Sequence, residues 1–218
     1  MGATSSVILL LMKCFLLPLV LSVTAFAQTP WTIDLTATEL AVKTWKTGAG
    51  ASLAHDHVVR ATKFSGTVSL DEAGTPESLA LEVVVDVAGL RADQPEDRRK
   101  YHLPNKPVPE DDRKKVEKAM LSDEQLDAAK FPNIVFKVVK VYREESGALQ
   151  CLGKLTLHGV TRELLFPITM KAADGRVEGE ASVRFKTSDF GVQPFSTALG
   201  LIRNKDEVEL VVHVVARR

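Results

Sequence analysis

Hydrophobic and polar residues alternate along much of the chain beyond residue 30, which is the pattern of strands with one buried and one solvated face. The alternating or continuously β-branched runs end at turn-forming stretches such as 72–76 and 174–175, which contain Gly, Pro or Asp. Short strands at this spacing favour an all-β fold, either a sandwich or a barrel, over parallel βαβ units. The predicted strands cover residues 31–34, 40–45, 64–70, 79–87, 134–142, 149–157, 164–170, 177–185 and 208–215.

Residues 91–130 interrupt this pattern with a segment rich in charge and proline. Proline prevents a sheet from continuing there, whereas residues 111–121 have helical composition and Ser122 to Gln125 resemble the start of a further helix. The charged run is interpreted as a solvated face. An excursion of this length between strands is a candidate lid or rim element, so a charged, partly helical insertion is predicted.

The first 27 residues differ in character from the rest of the chain. Residues 7–27 are apolar apart from Lys13 and a few hydroxyls, and they end in Ala25-Phe26-Ala27, the small-x-small pattern of a signal-peptidase site. A retained membrane anchor is the alternative, but Lys13 and Pro18 leave an uninterrupted stretch shorter than the ~20 residues of a span. We therefore expect a signal peptide over 1–27, one domain over 28–218 without an integral membrane span, and a periplasmic or secreted location.

Composition restricts the possible partners. Hydrophobic residues make up 45% of the 218-residue chain and charged residues 26%, which suits a folded domain with a sizeable core. Because 28 basic side chains balance 28 acidic ones, no overall field attracts nucleic acid, and no nucleic-acid partner is predicted. Removal of the leader would take Cys14 and leave Cys151 without an internal disulfide partner.

Five segments together resemble the YceI-like family: FPNIVFK at 131–137, GKLTLHGVTR at 153–162, FPI at 166–168, FKTSDFGV at 185–192 and DEVEL at 206–210. The resemblance implies a lipocalin-like barrel of antiparallel strands around an elongated cavity. In some relatives that cavity holds a polyisoprenoid or an isoprenoid-quinone-like molecule, and relatives suggest a homodimer. It thus implies a long-chain isoprenoid lipid as the partner, held for transport or storage, with no other cofactor.

A closed sheet of about eight strands leaves an interior for packed side chains or for one slender ligand, and alternation alone does not decide between them. A barrel filled by its own side chains, acting as a structural or stress-related envelope module, therefore stays open. The resemblance favours a hollow barrel. The apolar residues expected to line it are Phe64, Val83, Val85, Phe136, Val138, Leu155, Leu157, Phe166, Ile168, Val183, Phe185 and Leu210, with Leu164 and Val212 as further members.

His55, Asp56 and His57 form the most chemically suggestive cluster. On a strand the two histidines would share one face, where they could bind a metal or a ligand headgroup at the cavity mouth. A transition metal needs further ligands, and no local spacing recruits the other histidines. A plain structural or solvent-facing role and a polar contact with a headgroup at the rim both stay open for these histidines. A metal-binding or redox-linked envelope protein that uses His55 and His57 is the alternative function.

His158 and Asp189 are further polar candidates at the rim. His158 is expected in a tight turn with a hydrogen bond to the backbone, and Asp189 is expected to cap local amides rather than pair with Arg162 or Arg184. The sequence contains no nucleophile elbow, phosphate-binding glycine loop or zinc-protease helix. No metal site and no enzymatic activity are therefore predicted.

Overall fold

The computed structural model of the protein describes residues 29–104 and 107–218, so the predicted signal peptide lies outside the described residues. Within those residues the chain forms strands joined by turns and loops, with two α-helices between β6 and β7. The elements are β1 Thr29–Ile33, β2 Glu39–Thr47, β3 His57–Ala61, β4 Phe64–Leu70, β5 Ala80–Asp86, β6 Leu90–Ala92, α1 Pro95–Lys100, α2 Glu110–Leu121, β7 Asn133–Arg143, β8 Leu149–Leu157, β9 Val160–Ala173, β10 Arg176–Lys186, β11 Ser196–Thr197 and β12 Ile202–Arg217.

The strands close into an eight-stranded antiparallel barrel, which confirms the predicted fold class. Each of the first three strands of the barrel is composite, which means that two consecutive strands lie end to end in one position: β1 with β2, β3 with β4, and β5 with β6. Between these positions β1 pairs with β4, β2 with β3, β4 with β5, and β3 with β6. The order then continues through β7, β8, β9, β10 and β12. The long β12 closes the circle by pairing with β2 and, near its end, with β1.

Local hydrogen bonds lie at two of the breaks within the composite strands. Between β1 and β2 the Asp34 carboxylate accepts hydrogen bonds from the amides of Thr36 (3.1 Å) and Ala37 (3.2 Å), which turns the chain. Between β3 and β4 the backbone of Lys63 accepts from Asp86 (3.0 Å) and so keeps contact with the neighbouring strand. Every predicted strand is present, whereas the short β3, β6 and β11 were not predicted.

The two ends of the barrel differ. At one end, which we call the closed end, short turns join the strands, and Trp31, Leu70 and Val177 are buried in one core cluster. At the other, the mouth end, lie the 48–56 connection and the 93–132 insertion. The long segment after β10 also lies there, because antiparallel strands alternate their ends.

The insertion departs in two ways from its prediction. The helix predicted over 111–121 is α2, but the helix predicted from Ser122 is wrong, because the amides of Gln125 (3.1 Å) and Asp127 (2.7 Å) both donate to the Ser122 carbonyl in a series of turns. Nor is the charged run entirely solvated. Asp97 and Arg98 of α1 are buried, and ion pairs with Arg60 at the barrel rim and with Asp93 compensate their charges.

The ladder between β9 and β10 is incomplete. It runs from the Ala173–Arg176 pair to Ile168–Ala181 and ends beside Pro167, which has no N–H to donate. The 3₁₀ turn Thr187–Phe190 lies against both strands beyond that point. Asp206 anchors this turn by accepting from the Ser188 amide (2.9 Å) and hydroxyl (2.6 Å).

Candidate ligand-binding cavity

An apolar cavity of about 390 Å³ lies inside the barrel. Every strand position contributes to its wall, which is almost entirely aliphatic and aromatic. Polar side chains enter the lining mainly toward the mouth end, where Thr44, His57, Gln125, Asn204 and Lys205 belong to it. The size lies in the ~300–1,000 Å³ range of small-molecule sites, and an apolar wall with few polar groups is typical of such sites.

The inward faces of the strands supply the residues that alternation predicted. Phe64 departs from the expectation: it stands at the start of β4, beside the break that ends β3, and packs against the core cluster instead of lining the cavity. The predicted residues that do line the cavity are Val83, Val85, Phe136, Val138, Leu155, Leu157, Phe166, Ile168, Val183, Phe185 and Leu210, together with Leu164 and Val212.

Part of the lining comes from the insertion and was not predicted. Val116, Ala119 and Met120 of α2 and Leu126 of the following turns cover the cavity near its mouth. Alternation identifies inward residues only within strands, so it gives no information about a helix folded over the barrel end. The composition of the segment suggested a lid or rim element, but it did not single out these four side chains.

Cys151 lies in the cavity wall on β8 and is buried. Burial raises the pKa of its thiol to about 11, from 9.0. With Cys14 replaced by serine, alkylation of Cys151 by iodoacetamide at pH 8 is expected to be at least ~100-fold slower than that of the urea-unfolded chain, since the thiolate is the reactive species. Mass spectrometry over time measures both rates, and equal rates would show that the wall is open to solvent.

His57 is the polar side chain with the most defined surroundings at the mouth. Its Nδ1 lies 2.5 Å from Oδ2 of Asp93, whose side chain is fully buried. The other carboxylate oxygen accepts from Arg98 Nη1 (2.7 Å) and the Val58 amide (3.2 Å). Burial alone would raise the pKa of Asp93, but hydrogen bonds from His57, Arg98 and Val58 outweigh it and hold that pKa below its usual value. Since Nδ1 is engaged, Nε2 is the ring nitrogen left for a ligand.

Arg98 joins this group to the backbone of the rim. It donates to the carbonyls of Asp56 (2.8 Å) and Pro104 (3.1 Å) as well as to Asp93. Beside it, Arg60 Nε lies 2.9 Å from the Asp97 carboxylate. A buried guanidinium and a buried carboxylate are tolerated only with partners of this kind, so the network fixes the insertion on the barrel.

His55 does not join His57, because β3 begins only at His57 and the two histidines do not share a strand face. His55 lines a separate depression with Lys46 and Asp56 outside the barrel. In residues 29–104 and 107–218 there is no group of three or more His, Cys, Asp or Glu side chains placed to hold a metal ion. The described structure therefore gives the alternative metal site no third ligand.

His158 and Asp189 do not line the cavity. His158 stands with Gly159 in the tight turn between β8 and β9, as expected, but its Nε2 is buried without a hydrogen-bond partner among the described residues and its ring lies 4.5 Å from that of Phe131. Asp189 is exposed, and its backbone carbonyl accepts from Arg162 Nε (3.0 Å). The carboxylate that holds this turn is that of Asp206, so the capping role expected for Asp189 was wrong.

In the described part of the chain, none of the helices has the length and apolar character needed to cross a membrane.

Comparison with known proteins identifies similar sequences and folds. A family model described as the YceI-like domain matches residues 31–216. UPF0312 proteins from Vibrio parahaemolyticus and Vibrio campbellii are 34% and 33% identical to this chain over 113 residues, which are 52% of this chain and 47% of each relative. The chain thus matches about half the length of these curated relatives.

Solved structures show the same fold at low identity. BcnA from Burkholderia cenocepacia is 18% identical with a TM-score of 0.61, covering 84% of this chain and 98% of that chain. A structure described as a polyisoprenoid binding domain from Saccharophagus degradans is 12% identical with a TM-score of 0.54, covering 86% and 97%. A YCEI protein from Campylobacter jejuni is 16% identical with a TM-score of 0.54, covering 73% and 84%.

Proposed function

This chain belongs to the YceI-like family, and from that membership and its cavity we propose that it binds one long apolar molecule of isoprenoid type inside the barrel. The observation that carries the proposal is the hollow interior with its aliphatic wall. Burial of each CH₂ group contributes ~0.8 kcal/mol, so affinity rises with the length of the tail without specific hydrogen bonds. The description of the Saccharophagus degradans relative as a polyisoprenoid binding domain favours an isoprenoid tail.

The polar lining near the mouth is proposed to receive the headgroup. His57 is oriented there by Asp93, and Thr44, Gln125, Asn204 and Lys205 are further lining residues that carry hydrogen-bond donors. Donors of this kind suit a headgroup with oxygen acceptors. The tail would then extend toward the closed end.

Binding without catalysis is proposed for this cavity. A thiol with a pKa of about 11, such as that of Cys151, is protonated at neutral pH and is a poor nucleophile. A carrier needs only to shield its ligand from water and to release it. Together with the signal peptide expected from the sequence, these features support a role in transport or storage of the lipid outside the cytoplasm.

Organic extraction of the purified native protein, followed by mass spectrometry, tests the proposal. Protein produced in a bacterium that makes isoprenoid lipids should release one long-chain isoprenoid per barrel. A similarly purified exported protein from the same cells controls for carried-over membrane lipid. An extract of folded protein that contains no more lipid than this control would contradict the proposal.

A further inference from the structure

Exposed apolar side chains are concentrated on two loops at the mouth end, the 48–56 connection and the segment between β10 and β12. Leu53 is 80% exposed, Leu201 54%, and Leu199 is fully exposed. Phe195 is 37% exposed and also lines the cavity, so these residues stand beside its opening. We refer to Leu53, Phe195, Leu199 and Leu201 as the apolar tip. Scattered exposed leucines are ordinary, but a cluster on adjoining loops is typical of an interaction surface.

A backbone hydrogen bond joins the two loops, because the Gly50 amide donates to the Leu201 carbonyl (2.8 Å). A second one, from the Asn204 amide to the Phe195 carbonyl (2.9 Å), holds the loop of Phe195 against the start of β12. Gly48 permits the approach, because a Cβ at this position would lie 2.5 Å from the Leu201 carbonyl oxygen. The apolar tip is therefore a formed surface in which one loop supports the other.

The exposed Leu199 also has an unfavourable backbone conformation. Its backbone is in the left-handed region, with φ 55° and ψ 34°, a conformation that is unfavourable for a leucine. Because the side chain is fully exposed, no packing within the protein offsets this conformational cost. Such an outlier on an exposed turn indicates that the side chain meets another surface.

The charge around the apolar tip indicates which surface that is. Three cations flank it: Lys46, Arg203 and Lys205. None of them forms an ion pair among the described residues, and the Lys46 ammonium donates to the Ala54 carbonyl (2.9 Å). The carboxylates that follow them along β12 are occupied: Asp206 accepts from Ser188, and Glu207 lies 3.5 Å from Arg184. Apolar side chains bordered by unpaired cations fit the surface of an anionic bilayer.

We propose that the apolar tip docks this protein on anionic lipid bilayers, with the cavity mouth facing the membrane. The leucines enter the interfacial region and the flanking cations contact lipid phosphates. Docking in this orientation would let an apolar ligand pass between bilayer and cavity without crossing water. The docking itself follows from the two loops, whereas this transfer step rests on the proposed function.

A fluorescent probe at the apolar tip tests the docking. Leu199→Cys, in a chain with Cys14→Ser, is labelled with an NBD fluorophore and mixed with vesicles of phosphatidylcholine containing phosphatidylglycerol. The emission should shift to the blue and rise in intensity. The matched control is Leu165→Cys, a leucine 59% exposed on β9, whose label should not respond. Position-specific labels separate the apolar tip from any contribution of the apolar segment at 7–27.

Two further variants measure affinity by vesicle flotation. Leu53→Ser with Leu199→Ser should weaken binding about tenfold or more, because affinity follows the buried apolar area. Arg203→Glu with Lys205→Glu should abolish the preference for phosphatidylglycerol over pure phosphatidylcholine vesicles. The inference is overturned by an unresponsive label at 199 or by equal responses at 199 and 165. It is also overturned if velocity sedimentation shows a dimer that does not bind vesicles and that Leu53→Ser with Leu199→Ser converts to a monomer. Vesicle binding and lipid extraction are separate measurements, so a failure to dock is distinguishable from an empty lipid extract.

Discussion

Replacement of Asp93 by alanine is expected to lower the free energy of unfolding by about 3–5 kcal/mol, the cost typical of removing one partner from a buried ion pair. The Asp93 side chain is fully buried, and the substitution would leave Arg98, itself buried, without a countercharge. It would also leave His57 Nδ1 and the Val58 amide without their acceptor.

Urea unfolding at pH 7, followed by tryptophan fluorescence, measures the loss. Asp93→Asn separates the loss of the charge from backbone strain, since Asn also adopts the left-handed conformation that Asp93 has at φ 52°. Most of the loss should persist in this variant, because the countercharge is gone. Asp189→Ala is the control, an exposed aspartate expected to change stability by less than ~0.5 kcal/mol. A loss below ~1 kcal/mol for Asp93→Ala would mean that Arg98 finds other partners and that the network does not fix the insertion.

The strands were predictable because their inward faces carry a period of two. The β4 strand Phe64–Leu70 and the β8 strand Leu149–Leu157 have the predicted bounds, and the alternation within the strands also identified much of the cavity lining. The hollow interior could not be predicted from alternation, since a filled barrel and an empty one have the same pattern of inward apolar residues. Only the family resemblance favoured the cavity.

The network of His57, Asp93 and Arg98 at the mouth could not be predicted from the sequence. Asp93 lies 36 residues from His57 along the chain, and Arg98 reaches a carbonyl 42 residues away, so no motif spacing joins them. The sequence showed two histidines separated by one residue, for which a shared metal was the alternative interpretation, and a charged run that suggested a solvated surface. The fold instead separates the histidines and buries part of the run, because the insertion folds back onto β3.

Ser122 illustrates a local ambiguity. A serine followed by acidic residues and alanines resembles the start of a helix, but the Ser122 hydroxyl donates to the Ala119 carbonyl (2.7 Å) at the end of α2. The same residue type thus ends one helix rather than beginning another. The turns that follow place Leu126 over the cavity, which a helix prediction would not have revealed.

Gly179→Trp is expected to reduce the bound lipid at least about tenfold, because it places an indole in the cavity. Gly179 lies in the wall on the inward side of β10, between Val177 and Ala181, and a Cβ there would have no atom closer than 3.8 Å. The substitution therefore fits the backbone. It should leave stability unchanged or raised, since glycine weakens a strand interior and tryptophan favours one. Lipid per barrel, measured by extraction and mass spectrometry, is the readout.

Ser182→Trp is the matched control, since it adds the same side chain three residues along the same strand but on the exposed outer face. This variant should retain the lipid content of the wild type. Urea unfolding of both variants distinguishes a filled cavity from a misfolded barrel. If folded Gly179→Trp still carried one lipid per barrel, the molecule would have to bind elsewhere on the protein. Loss in Gly179→Trp alone would instead place the tail in the hollow interior, because only in that variant does the indole enter the cavity.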